Sequence, residues 1–184
     1  GSMSTLNSPE EVQLAEKLVN LHPWSDMARF SRTGGEACAI ALRIARAATG
    51  KDKVVFCGYH GWHDWYIASN IDDKNNLNKH LLAGLDSKGV VKNLKGTAIP
   101  FLYNDLESLK KIIEQNKNEI AAIIMEPVRD SEPSEGFLEA IREIATNERI
   151  VLIFDEVTSG FRKNIGGIHL ILGVEPDIAV FGKA

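Results

Sequence analysis

The sequence has 184 residues, of which 44% are hydrophobic and 25% charged, and its formal net charge is −4. That length suits one domain, and the composition is that of a chain able to bury a core. A mildly acidic balance with no basic stripe argues against a nucleic-acid partner, and no apolar stretch is long enough to span a bilayer.

Gly1-Ser2 opens the chain as a cloning scar would, so residues 1–3 are set aside as a tag remnant, and no signal peptide is expected. Ser8-Pro9-Glu10-Glu11 is a helix start, with a capping serine, proline at the first helical position and glutamate where a capping box needs it. Val12, Ala15, Leu18 and Val19 make one apolar face, and Pro23 ends the helix. Met27–Ser31 is a short strand candidate. Thr33-Gly34-Gly35 then precedes a small-residue helix running to about Ala48, with Ala37, Ile40, Ala41, Ile44 and Ala48 at helical spacing. Glycines before a helix can aim backbone N–H groups at an anion, which makes a phosphate site; they are also a common turn.

Lys53–Cys57 is a strand. It runs into Gly58-Tyr59-His60-Gly61-Trp62-His63-Asp64-Trp65-Tyr66, where aromatic rings could stack on a flat ligand. His60 and His63 have no further Cys/His cluster to support a metal, and none is expected. Cys38 and Cys57 are the only cysteines and read as reduced core residues of a cytoplasmic protein. Residues 67–96 are the least regular part, with a polar surface loop at Asp72–Asn78, and the sequence assigns them no role. Thr97–Phe101 is a strand that Pro100 consigns to an edge. Asn104-Asp105 starts a helix carrying Leu106, Leu109, Ile112 and Ile113. Ile120–Met125 is a buried strand with Glu126-Pro127 at its carboxyl end, and Phe137–Ala145 is a helix.

Ile150–Phe154 is five apolar residues running into Asp155-Glu156. Such a run reads as a strand covered on both faces, with Asp155 at its carboxyl end, the edge where open α/β sheets bind ligands. Asp177–Phe181 is a last strand, ending in Gly182-Lys183-Ala184. The alternation of strands and helices predicts an α/β fold, a three-layer αβα arrangement around a mostly parallel sheet. Thr33, Tyr59, Glu126, Asp155 and Lys183 should then collect on one rim.

Five stretches in this order resemble the class III, pyridoxal-phosphate-dependent aminotransferases of fold type I, in the branch that includes glutamate-1-semialdehyde aminomutase. They are Thr33-Gly-Gly-Glu-Ala37, Gly58-Tyr-His-Gly61, Met125-Glu-Pro127, Phe154-Asp-Glu-Val157 with Gly160-Phe-Arg162, and Pro176-Asp177 leading to Gly182-Lys183. The resemblance implies an aminotransferase or aminomutase acting on a small amine or carbonyl substrate, with pyridoxal 5′-phosphate as cofactor and a homodimer as the working form. It implies that Lys183 holds the cofactor as a Schiff base and serves as the base, aided by partial burial. Asp155 would pair with the pyridine nitrogen, Val157 and Tyr59 would cover the two ring faces, and His60 would lie alongside. Gly34 and Gly35 would hold the phosphate. Glu126 would support the polar network. The commoner phosphate motif of the family is Ser-Gly-Thr-Glu-Ala, so Gly35 loses a hydroxyl that Thr33 would have to supply. Family members are longer at both ends. Residues 4–184 are therefore expected to be an incomplete large domain without the C-terminal small domain, and inactive alone. The competing expectations are a scaffold that does not hold the cofactor, or a phosphate- or nucleotide-binding α/β module that uses Thr33–Gly35 alone.

Overall fold

The structure is a computed structural model that describes residues 7–80 and 84–183. The tag reading of residues 1–3 and the terminal Ala184 lie outside the described residues. Five strands form one sheet: β1 (Lys53–Cys57), β2 (Ala98–Pro100), β3 (Ile120–Met125), β4 (Val151–Glu156) and β5 (Ile178–Phe181). Their order is β2-β1-β3-β4-β5, and every pairing is parallel. The chain leaves β1 toward one edge and then returns to its other side. The crevice at the carboxyl ends of β1 and β3 is thus the point where connections diverge, the usual ligand position in such sheets. As Pro100 requires, β2 is an edge strand.

The helices are α1 (Pro9–Leu21), α2 (Gly34–Thr49), the short α3 (Asp64–Ile67) and α4 (Ser69–Asp72), α5 (Leu106–Gln115), α6 (Phe137–Asn147) and α7 (His169–Leu172), with one 3₁₀ turn at Lys92–Leu94. Strand side chains alternate between two cores. Val54, Phe56, Ala122, Ile124, Ile153 and Val180 pack with α2 and α3. Val55, Cys57, Ile123, Met125, Leu152 and Phe154 pack with α5 and α6. A period of two carries this alternation one step further along β4, so Asp155 falls on the α2 side and Glu156 on the other. No helix among the described residues is long and apolar enough to cross a membrane.

The helix starts follow their caps. Ser8 and Glu11 make the reciprocal capping box, and Thr33 with Glu36 makes a second one at α2. Two expectations fail. Met27–Ser31 pairs with no strand: it is irregular, and Met27 is 86% exposed. Strand-like residues without a neighbouring edge have nothing to bond to. The buried face of α2 is Cys38, Ala41, Leu42 and Ala45, while Ile44 is half exposed. Two adjacent stripes of this alanine-rich helix both satisfy a 3.6 period, and only contact with the sheet decides between them.

The described residues of the irregular stretch, 67–80 and 84–96, which the sequence leaves without an assigned role, have a structural one. Asn70 accepts from Leu77 N–H and donates to the Leu85 carbonyl, which folds the stretch on itself. The stretch delivers the buried His80 to β1, where its Nδ1 accepts the Gly58 N–H at 3.4 Å and its ring meets Phe56. Burial, and then the Arg129 charge, holds the His80 pKa down at about 4. An unfolded histidine titrates near 6.5. The stability that neutral His80 contributes is therefore complete above that value and is lost as pH falls toward 4. From pH 7 to pH 5 this group should cost about 2 kcal/mol. Urea unfolding at the two pH values should show the loss in the wild type and a smaller loss in His80→Gln; equal losses would dismiss the assignment.

Candidate functional site

Four segments converge on the carboxyl edge of the sheet. They are the loop after β1, the first turn of α2, the end of β4 and the end of β5. Val157 joins three of them: a Cβ built at Gly34 would lie 3.0 Å from one Val157 methyl, and one at Gly182 would lie 3.3 Å from the other. Gly61 completes the contact from the β1 loop. Its φ is 85°, and a Cβ there would lie 2.7 Å from the Cα of Gly35. Two backbones touch here, so Gly61 cannot carry a side chain without displacing α2 from the loop, whereas a Cβ at Gly35 would meet the His63 side chain at 2.9 Å. Gly61→Ala should cost about 2–3 kcal/mol, the upper end for a single substitution. Gly89→Ala is the control, because Gly89 has a similar φ of 89° and open space around it. Equal unfolding midpoints for the two variants would mean that backbone strain, not the Gly35 contact, sets the cost.

At the start of α2, the Thr33 hydroxyl accepts from Glu36 N–H, and the Glu36 carboxylate accepts from the Arg32 and Thr33 N–H groups. Gly34 and Gly35 N–H have no hydrogen-bond partner among the described residues. They are first-turn donors at the positive end of a sixteen-residue helix, which suits an anion.

Asp155 is buried and bound on both oxygens. Oδ1 accepts Val157 N–H at 3.0 Å. Oδ2 meets His60 Nδ1 at 2.7 Å and accepts from Cys38 Sγ at 3.4 Å. His60 Nε2 lies 3.1 Å from the Cys57 carbonyl. Both ring nitrogens of His60 thus face oxygen atoms. His60 and Asp155 form a buried hydrogen-bonded pair, with side-chain exposures of 0% and 6%. Burial first, and then the Asp155 charge, pushes the Cys38 thiol far above its ordinary range, so it remains a donor.

Glu126, at the end of β3, accepts Tyr59 N–H at 3.4 Å and pairs with Arg129 at 3.7 Å. Burial raises its pKa, against the lowering pull of the His60 and Arg129 charges. Tyr59 is exposed to the edge. Trp65 and Tyr66 are not: both are buried against Phe56, and the Tyr66 hydroxyl donates to the Gly58 carbonyl. The reading of the whole aromatic run as a stacking surface is therefore corrected to Tyr59 and Trp62, because α3 turns the later rings into the core.

Lys183 follows β5, one strand over from Asp155. It is exposed rather than partly buried, and its Nζ donates to Thr158 Oγ1 at 3.1 Å. Its φ is 56°, in the left-handed region, and Arg162 donates to its carbonyl. Strain at a non-glycine residue persists where surrounding contacts hold it. Here the holding group is the Arg162 guanidinium.

All nine expected site residues thus lie in or beside the four converging segments and the Glu126 end of β3. Sequence reasoning missed Cys38, Thr158 and the role of Arg162. Cys38 carried a signal, a thiol donor one turn into the helix that follows the glycines. Thr158 carried none.

Comparison with known proteins comes from the whole chain. The sequence profile of the class-III aminotransferases matches residues 1–184. A 3-aminobutyryl-CoA aminotransferase from Cloacimonas acidaminovorans is 39% identical over 190 residues, covering 100% of this chain and 42% of that relative. A glutamate-1-semialdehyde 2,1-aminomutase from Cytophaga hutchinsonii is 41% identical over 182 residues, covering 96% of this chain and 41% of its own length. A solved transaminase with PLP bound superposes with a TM-score of 0.84 at 29% identity, covering 100% of this chain and 43% of that one. The chain therefore spans about two fifths of the length of these relatives.

Proposed function

The chain belongs to the class-III aminotransferase family, and from that premise we propose that the intact protein is a pyridoxal-phosphate-dependent aminotransferase or aminomutase acting on a small amine or carbonyl substrate. The observation that carries the reading is the meeting of Asp155, Lys183 and the unpaired Gly34 and Gly35 N–H groups on one sheet edge. A carboxylate, an amine and an anion-binding helix start are the donor set that a pyridinium, an aldehyde and a phosphate require. Pyridoxal phosphate, when bound, supplies an electron sink for charge that develops at the substrate carbon.

This chain's residues take the following parts. The Lys183 amine is the attachment point and the base that moves the proton at the substrate carbon. Asp155 holds a proton on the ring nitrogen, and His60 and Cys38 fix its carboxylate. Gly34 and Gly35 N–H, with the Thr33 hydroxyl, hold the phosphate. Tyr59 and Val157 enclose the ring, and Glu126 fixes the Tyr59 backbone. Residues 4–184 are read as part of the cofactor-binding large domain. A cytoplasmic homodimer completes the proposal, with the exposed Trp62 and Ile165 among the side chains a second subunit would cover.

The test is to incubate the intact protein with pyridoxal phosphate, reduce with borohydride and locate the label by mass spectrometry. One equivalent at Lys183, absent from Lys183→Ala, is the expected result. Label scattered over surface lysines would overturn the assignment. Half-reactions with candidate amine donors then separate transaminase from mutase.

A further inference from the structure

Cys38, His60 and Asp155 are all buried, and Cys38 Sγ, His60 Nδ1 and one Asp155 oxygen lie within 4.8 Å of one another. A tetrahedral zinc-like ion sets such atoms about 3.3–3.7 Å apart. The sulfur and Asp155 Oδ2 are already at 3.4 Å. The 2.7 Å between His60 Nδ1 and that oxygen needs to open by only about 0.6 Å.

The groups behind the ligand atoms are also in place. His60 donates its Nε2–H to the Cys57 carbonyl, and Val157 N–H holds the other Asp155 oxygen. Metal sites use such partners to fix the ring and carboxylate. The proton between His60 Nδ1 and Asp155 Oδ2 and the Cys38 thiol proton meet at a single oxygen. A divalent cation can replace both: the two protons leave, imidazole, carboxylate and thiolate remain as ligands, and the net charge of the buried cluster is unchanged. Thiolate and imidazole select a soft or borderline ion over magnesium or calcium.

We infer that the cofactor-free protein binds one thiophilic divalent cation between Cys38 Sγ, His60 Nδ1 and Asp155 Oδ2. The inference goes beyond the cofactor reading and stands without it, although such a cation would hold the carboxylate which that reading assigns to the ring nitrogen.

The probe is Cd²⁺, titrated into the intact, reduced protein freed of cofactor. One equivalent should bind with a thiolate-to-metal absorption band, and excess Mg²⁺ should not displace it. Cys38→Ser should abolish the band and weaken binding by more than the roughly 10–100-fold that loss of an outer-shell partner costs. Cys38→Ala should behave alike. Cys57→Ala should keep both band and affinity, because the Cys57 sulfur faces the other core. Circular dichroism restricts the comparison to folded variants. No band in the wild type, a band retained in folded Cys38→Ser, or a band lost in folded Cys57→Ala would each overturn the site.

Discussion

On the proposed function, Asp155→Ala is expected to lower turnover of the intact protein by about 10²–10³-fold, the loss of roughly 3–4 kcal/mol that follows removal of one electrostatic stabiliser. Retention of cofactor should suffer less, because Lys183 and the α2 donors remain. The substitution has a second effect that does not depend on the functional proposal. It removes the partner of His60 Nδ1 and the acceptor of the Cys38 thiol, both buried. A buried polar group left without its partner costs about 1–3 kcal/mol, whereas replacing both partners by apolar groups is nearly neutral. The double variant Asp155→Ala/His60→Leu should therefore be more stable than Asp155→Ala alone. Near-normal turnover in Asp155→Ala would remove the catalytic assignment. A double variant less stable than the single one would remove the argument from the buried pair.

Glu156→Ala should destabilise the fold as severely, with no direct contact to the proposed cofactor site. Glu156 is fully buried on the opposite face of β4. Its carboxylate accepts from Ile168 N–H, His169 N–H, the His169 ring and the Ser159 hydroxyl. The Trp24 indole donates to the other His169 nitrogen at 3.1 Å, which fixes the His169 Nδ1 proton toward Glu156. This one side chain ties the loop after β4, the start of α7 and the segment after α1 together. Gly167 has no room for a Cβ beside it, since one would meet both the His169 ring and Glu156. Removing a carboxylate that satisfies several buried donors should cost about 3–5 kcal/mol, a fall of roughly 10 °C in the thermal midpoint. Glu156→Gln keeps the shape but offers one acceptor oxygen in place of two, and should fall between. Thermal and urea unfolding of the three proteins check the order. A midpoint within two degrees or so of wild type for Glu156→Ala would reject it.

What the sequence determined by itself was everything that local pattern can carry. The apolar runs at Lys53–Cys57, Ile120–Met125 and Val151–Phe154 can be satisfied only in a sheet covered on both faces, so parallel strands follow from composition and spacing. The Ser8–Glu11 box and Pro100 fix a helix start and an edge strand for reasons confined to a few residues. The alternation of elements puts the residues after each strand on one rim, so Asp155 and Lys183 share that rim by pattern alone. Tertiary structure decided what local pattern leaves degenerate. It chose between the two apolar stripes of α2, turned Trp65 and Tyr66 inward, and left Met27–Ser31 without a strand partner. It also divided the acidic pair of β4. A two-residue repeat says that Asp155 and Glu156 point to opposite faces, but not what waits there. Cys38 and His60 meet one carboxylate, and His169, held in turn by Trp24, meets the other, across sequence separations that no periodicity spans. Those meetings depend on how the layers stack, and stacking is set by the summed burial of both cores rather than by any one stretch of chain.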